Sequence, residues 1–467
     1  MVIQLPVDTS LSGPPLTATE AEKLIGAVCF KTGPPGTIGA ELEWLVRDAT
    51  DPALAVPFDR IRSALTGLRK PGILPGAGLL TLEPGGQVEL STAPAKGPGN
   101  CIAAASADMA VLREAFSSSG LALTGYGLDP LRSPSRVLNL PRYMAMEEYF
   151  DRSGPWGRLM MCSTASVQVC VDAGLDQVGP GGYSYRWRLL HALGPILVAA
   201  FANSPLRRGR PTGWKCTRQL IWSRLDPCRT LAPPGAEPPT NGSHAATAAD
   251  TLASRPALDP ALDPRSDWIR YALDADVLCQ RRPDGQPWTV PAGLTFRDWL
   301  HGSGRGADQL RPTADDLSYH LSTLFPPVRA RGHLELRMID AQPGDGWIVP
   351  VAVVAALIDD PAAADAAMAA TEPVWRLPVP GPRQDSQRPA SARIGPAPAG
   401  SPWLRAARLG PGDQAIGRAA RECFEAADAA MARAGTSPQI RNATAEFTER
   451  YVMRSRCPAD DMLEEMS

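Results

Sequence analysis

The sequence predicts an α+β protein built on an antiparallel sheet, with helices packed against one face of that sheet. Two observations carry this. Strand patterns come in runs and hairpins instead of alternating regularly with helices, which disfavours a parallel, doubly wound sheet. Each strand pattern also has one apolar face and one polar face, so one side can pack under helices while the other meets a ligand or water.

The elements follow in order. Thr17 and Glu20 have the spacing of a capping box, and the helix they open runs toward Phe30. "TIGAELEW" (37–44) reads as a strand whose Glu41 and Glu43 project to one face and Leu42 and Trp44 to the other. "LLTLEPGGQVELST" (79–92) reads as two alternating runs around a turn, a hairpin. A long helix fits Cys101 to a stop at Gly120, a strand fits Thr164–Asp172, and a mostly apolar helix fits Ser184–Ala202. Residues 231–265 are rich in Pro, Ala and Thr without a hydrophobic period and read as an exposed insertion. Residues 376–412 read as a Pro-rich linker between a catalytic domain (1–375) and a C-terminal helical segment (413–467) that has Gly435 as a helix stop.

Bulk properties narrow the function. A chain of 467 residues can bury a large core, in two to three domains or one elaborate one. The net charge of −2 gives no electrostatic reason to expect nucleic acid as a partner. Nine scattered cysteines with no C-x-x-C pair argue against a disulfide framework and a zinc ribbon, and for a reducing cytoplasm. The five histidines lack zinc-site spacing. The N-terminal residues do not read as a signal peptide, and the apolar run from Ile348 to Ile358 is too short to cross a bilayer.

The polar strand faces carry the chemistry. Gln87, Glu89 and Ser91 share a face, as do Ser166, Gln168, Cys170 and Asp172, and again His333, Glu335 and Arg337. One such strand is an ordinary solvated strand. Several with glutamates at their centres, and no lysine among them, are better suited to a hard cation such as Mg²⁺, which takes carboxylate oxygens and needs neither His nor Cys. Glu41, Glu43, Glu89 and Glu335 could supply them from three strands. Arg337, on the same face, would stabilise a transferring phosphoryl group beside the metal.

A second constellation is "GWKCTRQLIWSRLDPCRT" (213–230). Arg218 and Trp222 are four apart and would share one face of a helix, a guanidinium to clamp a carboxylate and an indole to exclude water. The plainer reading is an amphipathic surface helix with snorkelling arginines. No P-loop and no complete dinucleotide fingerprint is present, so a nucleotide site must be of another kind.

The strings "GAELE", "GGQVELS", "STASVQVCVD", "FANSPL", "RQLIWSRLDPCR" and the block from Pro312 to Pro343 occur in that order. Together they resemble the glutamate–cysteine ligase family, more narrowly its actinobacterial branch serving ergothioneine synthesis, and are also similar to the plant-type ligases. The resemblance implies a glutamine-synthetase-like fold whose concave sheet face holds Mg²⁺ and ATP. It implies a cytoplasmic enzyme that activates the γ-carboxylate of L-glutamate as an acyl phosphate for attack by the amine of L-cysteine. By motif matching, it implies that Glu41, Glu43, Glu89 and Glu335 bind metal, that Arg337 neutralises phosphate and that Gln168 lines the metal–ATP site. It further implies that Arg218 and Trp222 hold glutamate. The sequence departs from the plant-type pattern at Cys170, where those members have Asn, and at Ser163, where they have Arg. The alternatives are a carboxylate–amine ligase with another acceptor and a carboxylate-based two-metal phosphohydrolase.

Overall fold

The computed structural model describes residues 13–68, 70, 72–238, 263–283, 285–302, 311–376 and 401–466. Its centre is an antiparallel sheet ordered β2-β3-β1-β6-β10-β9, with two further strands, β4 and β5, also paired to β1. The strands are β1 (Thr37–Asp48), β2 (Leu79–Leu82), β3 (Val88–Ser91), β4 (Ala95–Lys96), β5 (Leu121–Thr124), β6 (Ser166–Asp172), β9 (Val328–Ala330) and β10 (His333–Asp340); a separate small hairpin joins β7 (Leu206–Arg207) and β8 (Arg210–Pro211).

β1 is the spine because it alternates for most of its length: Ile38, Ala40, Leu42 and Trp44 are buried on one side while Glu41 and Glu43 face the other. Its apolar side continues through Val88 and Leu90, the three valines of β6, and Leu334 and Leu336. Helices Gly97–Ser117, Tyr183–Ala200 and Ile348–Asp359 cover that side. The last of these is apolar all round and buried all round, as such a helix must be.

The helix Ala18–Cys29 opens with the Thr17/Glu20 capping box. The long helix expected from Cys101 begins four residues earlier, at Gly97, since Pro98 suits a first helical turn. The boundary between linker and C-terminal segment needs correction. Residues 402–409, placed in a linker by the prolines and glycines around them, form the helix Pro402–Leu409, capped by Ser401. Trp403 of that helix packs so tightly on Gly194 that a Cβ there would lie 1.9 Å from the indole. The following helix, Gln414–Arg433, packs on Pro361–Trp375, Ile348–Asp359 and Tyr183–Ala200, and its apolar side chains belong to the same core as the sheet. Of the expected insertion at 231–265, residues 239–262 lie outside the described residues; so do residues 377–400 of the expected linker. Among the described residues no helix is long and apolar enough to cross a membrane.

Candidate active site

The polar face of the sheet is the floor of a cavity of about 860 Å³. Glu41, Glu43, Glu89, Gln168, Arg218, Trp222 and Arg337 all line it, so the structure brings the strand-face residues and the second constellation into one place.

Strand register explains the floor. Glu43 lies directly opposite Glu89 on β3, and Glu41 opposite Gln168 on β6. Facing glutamates on neighbouring strands repel each other unless something neutralises them. Glu43 accepts hydrogen bonds from Gln168 Nε2 at 2.9 Å and from the Ser166 amide at 2.8 Å. Glu89 accepts from Thr81 at 2.8 Å and from Ser91 at 3.2 Å. On β10 the register slips between Leu336 and Ile339, so Arg337 and Met338 together oppose Gln168. Such a bulge turns a side chain away from the regular pleat. Here it leaves Arg337 donating to both Gln168 Oε1 and Glu335 Oε1.

A further carboxylate lines the cavity that the strand patterns do not mark. Glu83 sits at the end of β2, where its amide donates to the Gln87 carbonyl at 2.9 Å to close the hairpin. It lies outside the alternating runs, and the only signal for it was its place beside the turn in "LEPGGQVEL". Burial, reinforced by Glu89 and Glu43, holds its carboxyl well above the usual range. Burial, then the charges of Glu335 and Glu89, push Glu41 up to about 8. Glu43 and Glu89 are raised as well, chiefly by burial. Four carboxylates that resist ionising together make a site that welcomes a cation.

The donor types suit a hard divalent ion, but among the described residues no three His, Cys, Asp or Glu side chains converge closely enough to hold one. Mg²⁺ usually takes one or two carboxylates and completes its shell with water and substrate phosphates.

Glu335, expected to bind metal, is placed differently from Glu41, Glu43 and Glu89. It is fully buried, and both its oxygens are taken: Arg329 Nε reaches Oε2 at 2.7 Å, Arg329 Nη2 reaches Oε1 at 2.8 Å, and Arg337 donates to Oε1 as well. These guanidinium groups overcome its desolvation and hold its pKa far below the usual range. It anchors two arginines that line the cavity. Arg329 was not singled out in the sequence, because its role comes from the cross-strand register that sets it opposite Glu335.

The second constellation forms the helix Thr217–Ser223. Arg218 is 2 % exposed, donates from Nη2 to the Arg337 carbonyl at 2.7 Å, and has Nη1 3.9 Å from Asp340. Its Nε and Nη1 have no hydrogen-bond partner among the described residues. Its guanidinium carbon lies 5.6 Å from the centroid of the Trp222 ring, which meets Phe325 edge-on. A guanidinium in the cavity wall whose Nε and Nη1 lack hydrogen-bond partners, with Asp340 as the counter-charge at 3.9 Å, is suited to an anionic ligand. The snorkelling alternative fails for Arg218. Arg229, farther along, is a buried brace, bonded to Asp226 at 3.0 Å and to the Thr323 carbonyl at 2.8 Å.

Another part of the cavity lining was not legible in the sequence. Arg142 hydrogen-bonds Ser322 Oγ at 3.1 Å and lies 5.0 Å from the ring centroid of Tyr319, and both line the cavity. The two departures from the plant-type pattern lie close by. Cys170 stands opposite Glu335 in the sheet, its thiol held far above the usual range by burial and by the acids around it. Ser163 is buried, and its hydroxyl has no partner among the described residues.

Comparison with known proteins bears on this geometry. The family model described as Glutamate-cysteine ligase family 2 (GCS2) matches residues 37–466. The glutamate–cysteine ligase EgtA of Mycobacterium tuberculosis is 38% identical over 447 residues, covering 95% of this chain and 89% of that protein. The EgtA of Mycolicibacterium smegmatis is 37% identical, covering 95% of this chain and 90% of its own length. A chloroplastic glutamate–cysteine ligase B of rice is 29% identical over 62% of this chain and 55% of its own. The solved glutamate–cysteine ligase of Francisella tularensis in complex with AMP aligns with a TM-score of 0.48 at 10% identity, covering 93% of this chain and 85% of that one.

Proposed function

The chain belongs to glutamate-cysteine ligase family 2, and on that premise we propose that it joins the γ-carboxylate of L-glutamate to the amine of L-cysteine with ATP, in the service of ergothioneine synthesis. The products are γ-glutamylcysteine, ADP and phosphate.

The observation that carries the reading is the pairing, in one cavity, of an anion clamp with an acid cluster. Arg218 offers unmet N–H groups at one place in the wall, and Glu41, Glu43, Glu83 and Glu89 line another. A phosphohydrolase needs the acids alone; a glutamate-activating ligase needs both. Arg218 takes the α-carboxylate of glutamate, and Trp222 walls off its aliphatic stem from water. The substrate is thereby directed with its γ-carboxylate toward the acids and Arg337.

One or two carboxylates from the set Glu41, Glu43, Glu83 and Glu89 would hold Mg²⁺ together with the phosphates of ATP, and the ion would neutralise charge on those phosphates. Arg337 donates to the oxygens of the transferring phosphoryl group, where negative charge is spread. Gln168 and Glu335 hold that guanidinium in place. An oxygen of the glutamate γ-carboxylate attacks the γ-phosphorus, the bond to the bridging oxygen breaks, and ADP leaves with the electron pair. The cysteine amine then attacks the acyl carbon. Phosphate departs with the C–O electron pair, and the amine loses its proton.

The test is a coupled ATPase assay with glutamate and each of the twenty amino acids as acceptor. ADP release that requires glutamate and is greatest with cysteine is the expected result. Phosphate release without any amino acid would favour a hydrolase, and a different best acceptor would reassign the second substrate.

A further inference from the structure

The seven-residue helix that carries Arg218 and Trp222 is too short to hold its own position. It is held from the far end of the chain. The amides of Lys215 and Cys216, just before it, both donate to the Ala407 carbonyl, at 2.9 and 2.8 Å. Ala407 lies in the helix Pro402–Leu409. The Lys215 ammonium pairs with Asp460 of the last helix, Pro458–Glu464, and both side chains are mostly shielded, 23% and 21% exposed. Asp460 is itself fixed by the Cys457 amide at 3.0 Å, and the Ala459 amide bonds the Ala202 carbonyl at 2.9 Å.

These contacts reach Arg218 by a short path. The Ser204 amide donates to the Lys215 carbonyl at 3.1 Å, and Ser204 Oγ accepts from the Arg218 amide at 3.2 Å while donating to Asp340 at 2.7 Å. Cys216 donates its thiol proton to the other Asp340 oxygen at 3.3 Å and accepts from the Gln219 amide at 3.4 Å, starting the helix. Gly410, at φ +59, lies where these segments meet: a Cβ on it would be 3.3 Å from Cys457 Sγ and 3.5 Å from Lys215 Cγ.

We propose that the C-terminal helices are a positioning device for the glutamate clamp, acting through the Lys215–Asp460 pair and the Ala407 carbonyl on the placement of Arg218. This rests on the reading of Arg218 as the residue that holds glutamate. Lys215 and Asp460 touch no substrate in that reading, yet they set its affinity.

The experiment measures Lys215→Met, Asp460→Asn, the double variant, Lys215→Arg and Arg218→Ala in the full-length enzyme, with glutamate and ATP varied separately. Amide hydrogen exchange across residues 216–223 is followed in parallel. Lys215→Met and Asp460→Asn are expected to raise the glutamate KM roughly five- to tenfold, because a small misplacement of a binding group is costly. The ATP KM and kcat should stay within about twofold of wild type. The double variant should be no worse than either single one, Lys215→Arg should recover most of the loss, and exchange at 216–223 should quicken. If Arg218→Ala raises the glutamate KM while Asp460→Asn leaves it unchanged, the positioning role falls and the clamp stands. If neither substitution moves it, the clamp assignment falls and takes the positioning role with it. Equal losses in kcat and in both KM values would mean general destabilisation, which also overturns the proposal.

Discussion

Arg329 and Glu335 lie opposite each other on β9 and β10 and share two parallel hydrogen bonds of 2.7 and 2.8 Å, both side chains buried and Arg329 lining the cavity. The fork of one guanidinium is filled by the carboxylate, and Arg337 uses the same carboxylate as its support. This separates Glu335 from the glutamates that line the cavity, and the separation can be measured. Glu335→Gln leaves two buried arginines without their counter-charge and should cost about 3–5 kcal/mol of stability. Glu89→Gln removes a charge from a mutually repelling set and should leave the protein without added ligands as stable as wild type or slightly more so, while abolishing ligation. Denaturant unfolding of both variants decides the point. Equal stability would return Glu335 to the metal-binding set.

The histidines give a prediction about acid. His191 and His320 are fully buried, and burial pushes their pKa values down to about 4 and about 3, the Arg229 charge assisting at His320. His191 Nδ1 donates to the Trp187 carbonyl and His320 Nε2 to the Ala272 carbonyl, both at 2.8 Å; the other ring nitrogen of each is buried without a partner among the described residues. Protonation would place an N–H where nothing accepts it. A histidine depressed in the folded state contributes stability that is complete above the unfolded value near 6.5 and is lost as pH falls toward the folded value. Each should therefore cost about 1.4 kcal/mol per pH unit below about 6.5. Unfolding free energies between pH 7 and pH 5 in wild type and His320→Gln provide the test: an unchanged slope in the variant would remove His320 from the account.

The cysteines should be silent. All nine are unpaired, and Cys216, Cys423 and Cys457 are buried with their thiols raised by that burial. Burial and raised pKa both suppress thiolate chemistry. Thiol reductants are expected to leave activity unchanged, and Cys170→Ser to cost little. A severalfold response to reductant would require a disulfide that this arrangement does not contain.

What the sequence revealed of this site follows the physics of strands. An alternation of two residues can be read along one strand, so Glu41, Glu43, Glu89, Gln168 and Arg337 were legible from their own neighbours. Partnerships across strands depend on register, which a single strand does not encode, so Arg329 was invisible and so was the double arginine pairing of Glu335. Glu83 closes a hairpin and lies outside any alternating run. Arg142 and Tyr319 come from helices far apart in the chain, and only the fold turns them toward the floor. The helix Pro402–Leu409 was hidden by its own punctuation, because Pro402 and Gly410 mark the ends of a helix as readily as they mark a linker.

The clamp and the phosphate-facing arginine should separate in kinetics. Arg218 Nη2 donates to the Arg337 carbonyl at 2.7 Å, so the two residues are neighbours, yet their guanidinium groups serve different parts of the substrates. In the proposed reading Arg218 holds a carboxylate that is charged before, during and after phosphoryl transfer, so its contribution is to binding. Arg218→Ala removes a charge-assisted partner from a buried anion and should cost roughly 2–5 kcal/mol, about thirty- to several-thousand-fold in glutamate affinity. Arg218→Lys should recover only part of it, since a point charge does not reproduce the planar fork. In the same reading Arg337 faces oxygens whose charge develops during transfer, so Arg337→Ala should collapse kcat while changing the glutamate KM much less. Measuring both variants with glutamate and ATP varied separately distinguishes the roles. If Arg218→Ala weakens ATP and spares glutamate, Arg218 belongs to the nucleotide site and glutamate must be bound elsewhere in the cavity.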